Sequence, residues 1–209
     1  MSGRTAYEVL TGRPGDPGMT PALLEQMFRL RYEVFHQRLG WEVSGEGGLE
    51  RDRFDELDPV YVIARHRADH TVVGCVRLLP TTGPYMLRDV DAFQPALAGH
   101  PAPRSPRIWE ISRLAGTSPN GPTTTADAIS RPAEAGLGPI PRALLTAVGD
   151  YAAGHGIDRF VTLSGLRVER RANASGIPST RLGMQRPTRI GTVLCTAYSV
   201  SATALAALS

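Results

Sequence analysis

Two β-branched, apolar runs, Pro59–His66 (PVYVIARH) and Thr71–Pro80 (TVVGCVRLLP), are divided only by a polar break at Ala68–His70. Runs of that length and composition predict two strands joined by a turn. A third run, Arg107–Ala115 (RIWEISRLA), alternates strictly, which predicts a strand with Ile108, Glu110, Ser112 and Leu114 on one face. A chain with three such segments has to build its core on a sheet. The flanking segments supply the cover. Pro21–Arg38 spaces Leu23, Leu24, Met27, Leu30, Val34 and Phe35 as a helix does, with Thr20 placed to cap it. Ile140–Gly156 predicts a second helix, with proline in its first turn and a glycine stop. Asp158–Ser164 predicts a strand, Gly165–Gly176 a shorter helix and Arg189–Val200 a last strand before a tail of small residues.

This order, helix, three strands, helix, strand, helix, strand, predicts an α/β fold: a single domain over residues 1–209 with a mixed central β-sheet flanked by helices on both faces. The segment 116–139 is rich in Gly, Pro, Ser and Thr and reads as an irregular loop within that domain.

Composition removes several chemistries. The chain holds 23 basic residues and none is lysine, which excludes a Schiff-base lysine and a P-loop lysine. Arginine instead presents a planar fork suited to carboxylates and phosphates. Cys75 and Cys195 each stand alone in an apolar segment and read as buried structural thiols. The five histidines form no metal-binding spacing, so no metal is expected. No apolar run reaches the roughly 18 residues a membrane span needs, and Met1–Gly18 lacks a signal-peptide core, so the expected location is the cytoplasm, with no membrane partner. Arginines without a recognition motif or interleaved aromatics do not read as a nucleic-acid surface.

Charge is crowded where the first strand begins. Glu50, Asp52, Asp55 and Glu56 alternate with Arg51 and Arg53 directly before Val60. Three arginines touch apolar elements: Arg31 beside the seam of the first helix, Arg77 near the end of a strand, and Arg113 in WEISR. Glu110 shares its face with Ile108 and Leu114, so it is expected to be buried, and a buried carboxylate needs a partner. Glu110 and Arg113, three apart on a strand, face opposite ways unless a bulge intervenes. Residue types alone define an α/β domain with an arginine–carboxylate cluster, and a purely structural ion-pair network remains an alternative.

The spacing of the cluster adds more. Arg31, Phe35, Arg38, Trp41, Glu50, Asp52, Phe54 and Asp55 together resemble the signature of the acyl-homoserine-lactone synthases, the autoinducer synthases of bacterial quorum sensing. The likeness continues through VVGCVRLLPTTGPYMLRDV, past a Phe93 displaced by an apparent insertion, to WEISR. It implies an N-acetyltransferase-like fold. It also implies a reaction in which S-adenosylmethionine, a substrate and not a cofactor, is acylated by an acyl thioester on acyl carrier protein or coenzyme A. The products are an N-acyl-homoserine lactone, methylthioadenosine and the freed thiol.

By that resemblance, residues 1–48 form the S-adenosylmethionine-binding helix and a lid, and 140–209 the acyl-chain and carrier-binding part. Glu110 becomes the candidate base. Arg31, Arg77 and Arg113 orient the ligand carboxylate and hold Asp52, Asp55 and Glu110, while Phe35 and Trp41, with Arg31, Asp52 and Arg113, surround S-adenosylmethionine. Phe93, Thr162 and Ser164 fall to the acyl pocket. Arg167, Arg170 and Arg171, from a C-terminal third that also holds Arg159, Arg181, Arg186 and Arg189, fall to carrier docking. Oligomeric state is not readable. Two other readings stand beside this one: another acyl-CoA N-acyltransferase of the same fold, and a non-catalytic module that binds S-adenosylmethionine or acyl carriers.

Overall fold

The structure is a computed structural model that describes residues 6–41, 43, 45–118, 121–123, 136–183 and 187–208. Its centre is one mixed sheet. The strands are β1 (Tyr7–Gly12), β2 (Val60–His66), β3 (Val72–Pro80), β4 (Ile108–Ser118), β5 (Gly121–Thr123), β6 (Arg159–Gly165), β7 (Ser179–Arg181), β8 (Thr188–Ile190) and β9 (Val193–Ser201). They lie in the order β1-β2-β3-β4-β6-β9-β7, with β5 on β4 and β8 on β9. Every pairing is antiparallel except β4 with β6.

Period-two patterning divides the core between the two faces. Val60, Val62 and Ala64 of β2 meet Leu144, Leu145 and Val148 of the long helix α3 (Pro139–His155). Tyr61 and Ile63 point the other way, against Met27, Leu30 and Val34. Those residues belong to helix α1 (Pro21–Arg31), which Thr20 caps through the Leu23 amide, and to the π-helical turn Tyr32–Arg38 that continues it. The uninterrupted helix expected over Pro21–Arg38 therefore changes its winding at Tyr32. On this second face lie also the single turn α2 (Met86–Asp89) and the 3₁₀ turn Asp91–Leu97, packed through Leu87 and Phe93 on Leu79 and Val161.

Several elements differ from expectation. β1 was not anticipated: it is a mostly half-buried edge strand that gains its order by pairing with β2. The single strand expected over Arg189–Val200 is the β8–β9 hairpin, turned at Gly191 with φ 53°. The small-residue tail forms helix α5 (Ala202–Ala206), which packs on α3 at Gly149, where an added Cβ would stand 2.3 Å from the Ala206 nitrogen. Helix α4 (Leu166–Ala174) follows β6 as expected. Of the segment 116–139, β4 runs to Ser118 and β5 covers Gly121–Thr123, and residues 119–120 and 124–135 lie outside the described residues. Both cysteines are buried and free. No helix among the described residues is long and apolar enough to cross a membrane.

Candidate active site

The parallel strands β4 and β6 pair only over Ile108–Glu110 and Arg159–Val161. Beyond that they part, because β4 follows β3 while β6 stays with β9 through Gly165. The gap opens a cavity of about 550 Å³ lined by Ile111–Leu114 on one side and Thr162–Gly165 on the other. It connects the two faces of the sheet. On the α1 face Phe35, Arg38, Trp41 and Phe93 border it; on the α3 face Leu145, Tyr198, Val200 and Leu205 do.

A bulge sets the geometry at the mouth. Arg77 pairs with Ser112 and Cys75 with Ala115, so β4 spends one extra residue there, and Arg113 takes φ 55°. That left-handed backbone is costly for a non-glycine residue. It reverses the alternation: Leu114 joins the α3-side core instead of sharing the face of Glu110, and Arg113 turns back toward the acids. The bulge condition on Glu110 and Arg113 is thus met, and both line the cavity.

Three guanidiniums and three carboxylates interlock behind this mouth. Arg31 donates to Glu50 at 2.5 Å and, bidentate, to Asp55 at 2.7 and 2.9 Å. Arg77 donates to Asp52 at 2.6 and 3.0 Å and to Asp55 at 2.7 Å. Arg113 donates to Glu50 and to Asp52, each at 2.9 Å. The segment that carries the acids is folded by the same groups: Asp52 caps the 3₁₀ turn Arg53–Glu56 and accepts from Phe54, while Asp55 accepts from the Asp52 amide and the Tyr61 hydroxyl. Burial alone would raise the Asp55 carboxyl, but Arg31 and Arg77 outweigh it and hold it well below the usual carboxylate range. The expected cluster is therefore real, yet its parts differ in access. Arg31 and Arg77 are 1% and 0% exposed, and neither they, Asp55 nor Asp52 line the cavity; Asp52 alone keeps 17% of its side chain open. Arg31 and Arg77 spend their forks on these carboxylates, away from the cavity, and of the three arginines in the network Arg113 is the one that lines it.

Glu110 stands apart from that network. Its carboxylate accepts from two main-chain amides, Met86 at 3.1 Å and Leu87 at 2.7 Å, and, among the described residues, from no guanidinium. Burial pushes it up to about 7, against the opposing pull of those amides and of Arg77 and Arg113. A carboxyl that exchanges its proton near neutrality, on the wall of a cavity, can serve as base.

The Phe35 and Trp41 rings meet at a tilt of 32° with centroids 5.3 Å apart, and the Arg113 guanidinium covers Phe35 at 5.2 Å. The Trp41 indole nitrogen is buried without a partner among the described residues. Thr162 and Ser164 line the cavity, but the Ser164 hydroxyl is engaged by Tyr198 at 2.8 Å, leaving Thr162 as the hydroxyl facing the gap. Phe93 also lines the cavity, from the α2 side. Arg167 and Arg170 border the mouth, whereas Arg171 is 4% exposed inside the fold. Arg186 lies outside the described residues. Met86, Leu87, Tyr198, Leu145 and Leu205 were not anticipated; of these, only Tyr198 lay in a segment read as a strand.

A mixed sheet whose central parallel strands part over a cavity, with helices on both faces, is an N-acetyltransferase-like α/β fold. The family model of the autoinducer synthases matches residues 18–207. An acyl-homoserine-lactone synthase from Acinetobacter nosocomialis is 40% identical over 154 residues, which cover 73% of this chain and 79% of that protein. The crystal structure of the acyl-homoserine-lactone synthase LasI superposes with a TM-score of 0.78 at 32% identity, covering 94% of this chain and 90% of that one. A coenzyme A-dependent synthase, BjaI, whose structure holds S-adenosylmethionine and isopentyl-CoA, superposes at 0.75 with 26% identity, covering 97% and 87%. The chain belongs to the autoinducer synthase family, the acyl-homoserine-lactone synthases.

Proposed function

We propose that this chain joins S-adenosylmethionine to an acyl thioester and cyclises the product, releasing an N-acyl-homoserine lactone, methylthioadenosine and the free thiol of the carrier. The observation that carries this reading is the passage of one cavity through the sheet. An aromatic, arginine-bearing mouth on the α1 face suits the sulfonium amino acid. An apolar chamber beneath α3 and α5 suits a fatty chain, and Glu110 lies on the wall between the two. On the mouth side, Trp41 offers an unpaired indole donor and a ring face for the cation, and Arg113 meets the ligand carboxylate.

The first step needs the ligand amine neutral. Glu110, through one water, takes its proton, and the amine attacks the thioester carbonyl. The carbon–sulfur bond breaks, and the thiolate leaves with the carrier as a thiol, taking up the proton the nitrogen sheds as the amide forms. In the second step the methionyl carboxylate displaces the sulfonium at its own γ-carbon, closing the lactone and freeing methylthioadenosine. The leaving group is already charged, so this step needs orientation rather than acid catalysis. Arg31, Arg77, Asp52 and Asp55 act as positioning residues that fix Arg113 and the mouth.

For the donor, an acyl carrier protein fits the described residues better than coenzyme A. Pro139 and Pro141 remove two amide donors from the first turn of α3, and the Arg142 amide is spent on Gly138. That start is a poor cradle for pyrophosphate. Arg38, Arg167, Arg170 and Arg189 border the mouth and suit an acidic protein. Thr162 is the group placed to meet a 3-substituent on the acyl chain.

The test is to supply S-adenosylmethionine with octanoyl-carrier protein or octanoyl-CoA and to follow methylthioadenosine and free thiol together. Equal release of both, faster from the carrier protein, supports the reading, and Glu110→Gln abolishes it. Thiol release without methylthioadenosine identifies an ordinary N-acyltransferase, and binding without turnover a non-catalytic module.

A further inference from the structure

The two amides that hold Glu110 come from α2, a single turn of four residues, Met86–Asp89. A turn that short has no stability of its own. It is held from outside. The Asp89 carboxylate reaches back to accept from the Tyr85 amide at 2.8 Å, closing the start of the turn. Arg53 extends its guanidinium across from the acidic segment and donates to the Asp89 carbonyl at 2.6 Å. Gln94 donates to the Arg88 carbonyl at 2.6 Å, and the Met86 sulfur lies 2.9 Å from Arg77 and 3.4 Å from Arg113. Asp89, Arg53 and Gln94 show no hydrogen bond to Glu110 among the described residues, yet each fixes where the Met86 and Leu87 amides point.

We propose that Asp89, backed by Arg53, is a positioning residue for acyl transfer: it aims the Met86 and Leu87 amides at Glu110 and so sets how readily that carboxylate stays ionised in its buried site. This rests on the reading of Glu110 as base. Hydrogen bonds to a carboxylate favour its charged form. The other groups that face Glu110 are Arg77 from β3, Arg113 from β4, and the Tyr85 hydroxyl beside the turn. Its pairing neighbour on β6, Val161, is apolar. Arg77 and Arg113 are fixed by Asp52, Asp55 and Glu50, so the amides are the adjustable part.

Asp89 also carries a charge, and the two effects are separated by a pair of variants. Asp89→Asn removes the charge but keeps an acceptor for the Tyr85 amide; Asp89→Ala removes both. Glu110 is followed directly by carbon-13 NMR of the labelled glutamate carboxyls, its signal assigned by its absence from Glu110→Gln, with the pH dependence of turnover measured in parallel. In Asp89→Ala the Glu110 midpoint rises by about one pH unit above that of Asp89→Asn, and the acidic limb of kcat moves with it, so turnover at pH 6 falls about tenfold while turnover at pH 9 recovers. Arg53→Met moves both in the same direction by less, and serves if Asp89→Ala does not fold. Equal midpoints in the alanine and asparagine variants, or a loss of turnover that is the same at every pH, overturns the proposal. A midpoint that moves while the kcat limb stays still retains Asp89 as the group that orients the amides and removes Glu110 from the base role instead.

Discussion

Replacing Glu110 by glutamine removes a group that is held near 7 in the fold against 4.5 when solvated. A carboxyl whose folded value is raised contributes its full stability below the unfolded value, where it is protonated in both states. It loses that contribution as pH rises through the folded value. At about 1.4 kcal/mol per pH unit, the wild-type chain loses about 3 kcal/mol between pH 5 and pH 8 that Glu110→Gln does not. The substitution has its own cost: glutamine can accept from only one of the Met86 and Leu87 amides, and the other is left unpaired at about 1–3 kcal/mol. That cost does not depend on pH, so it offsets the two curves without bending them. Thermal unfolding across pH 5–8 therefore shows a Tm difference, variant minus wild type, that grows by about 6–12 °C toward high pH. The other titrating groups are common to both chains and cancel. Curves that run parallel over this range refute the claim that burial outweighs Arg77 and Arg113 and raises the Glu110 carboxyl.

Arg31→Met leaves Glu50 and Asp55 buried and short of a partner, and should lower stability by about 3–5 kcal/mol in urea unfolding; a loss below 1 kcal/mol contradicts the network. Asp52 and Asp55 are held below the ordinary carboxylate range, so their contribution is complete above pH ~4 and lost as pH falls through their folded values; near-ultraviolet circular dichroism should place acid unfolding well below pH 4. Leu205→Ala should cost about 2–5 kcal/mol and, by deepening the apolar chamber, shift the acyl chains in the product toward greater length, read by mass spectrometry. The double variant Arg167→Glu and Arg170→Glu should lower kcat/KM for the acyl-carrier protein and flatten its dependence on salt; an unchanged salt dependence removes these residues from docking.

The sheet was legible because its central strands are long, apolar and β-branched, and α3 because its proline start and glycine stop punctuate a clear period. The edges were not. Tyr7–Gly12 is only partly buried along most of its length and gains its order from β2, a long-range contact with no local signal. The turn at Gly191–Thr192 lay inside a run that reads equally as one strand, although glycine followed by a small residue between apolar stretches is a hairpin signal. Alanine-rich Ala202–Ala206 has good helix propensity but too few residues to declare itself before α3 covers it.

Within the site, the arginine–carboxylate spacing was visible because it lies in one stretch of sequence and one strand pair. The division of labour was not. Whether an arginine faces a cavity or a carboxylate depends on the bulge at Arg113, which shows only as a register offset between β3 and β4. The amides that hold Glu110 belong to main chain, which no side-chain pattern reports.

A crystal structure with S-adenosylmethionine and an inert octanoyl thioether of the carrier thiol tests the central claim most directly. The expected result is a complex divided by the sheet: the methionyl amine on the α1 side within one water of Glu110, and the octanoyl tail through the gap between β4 and β6, ending against Leu145 and Leu205. Both ligands on one face of the sheet, or a tail that stays outside the gap, would contradict it.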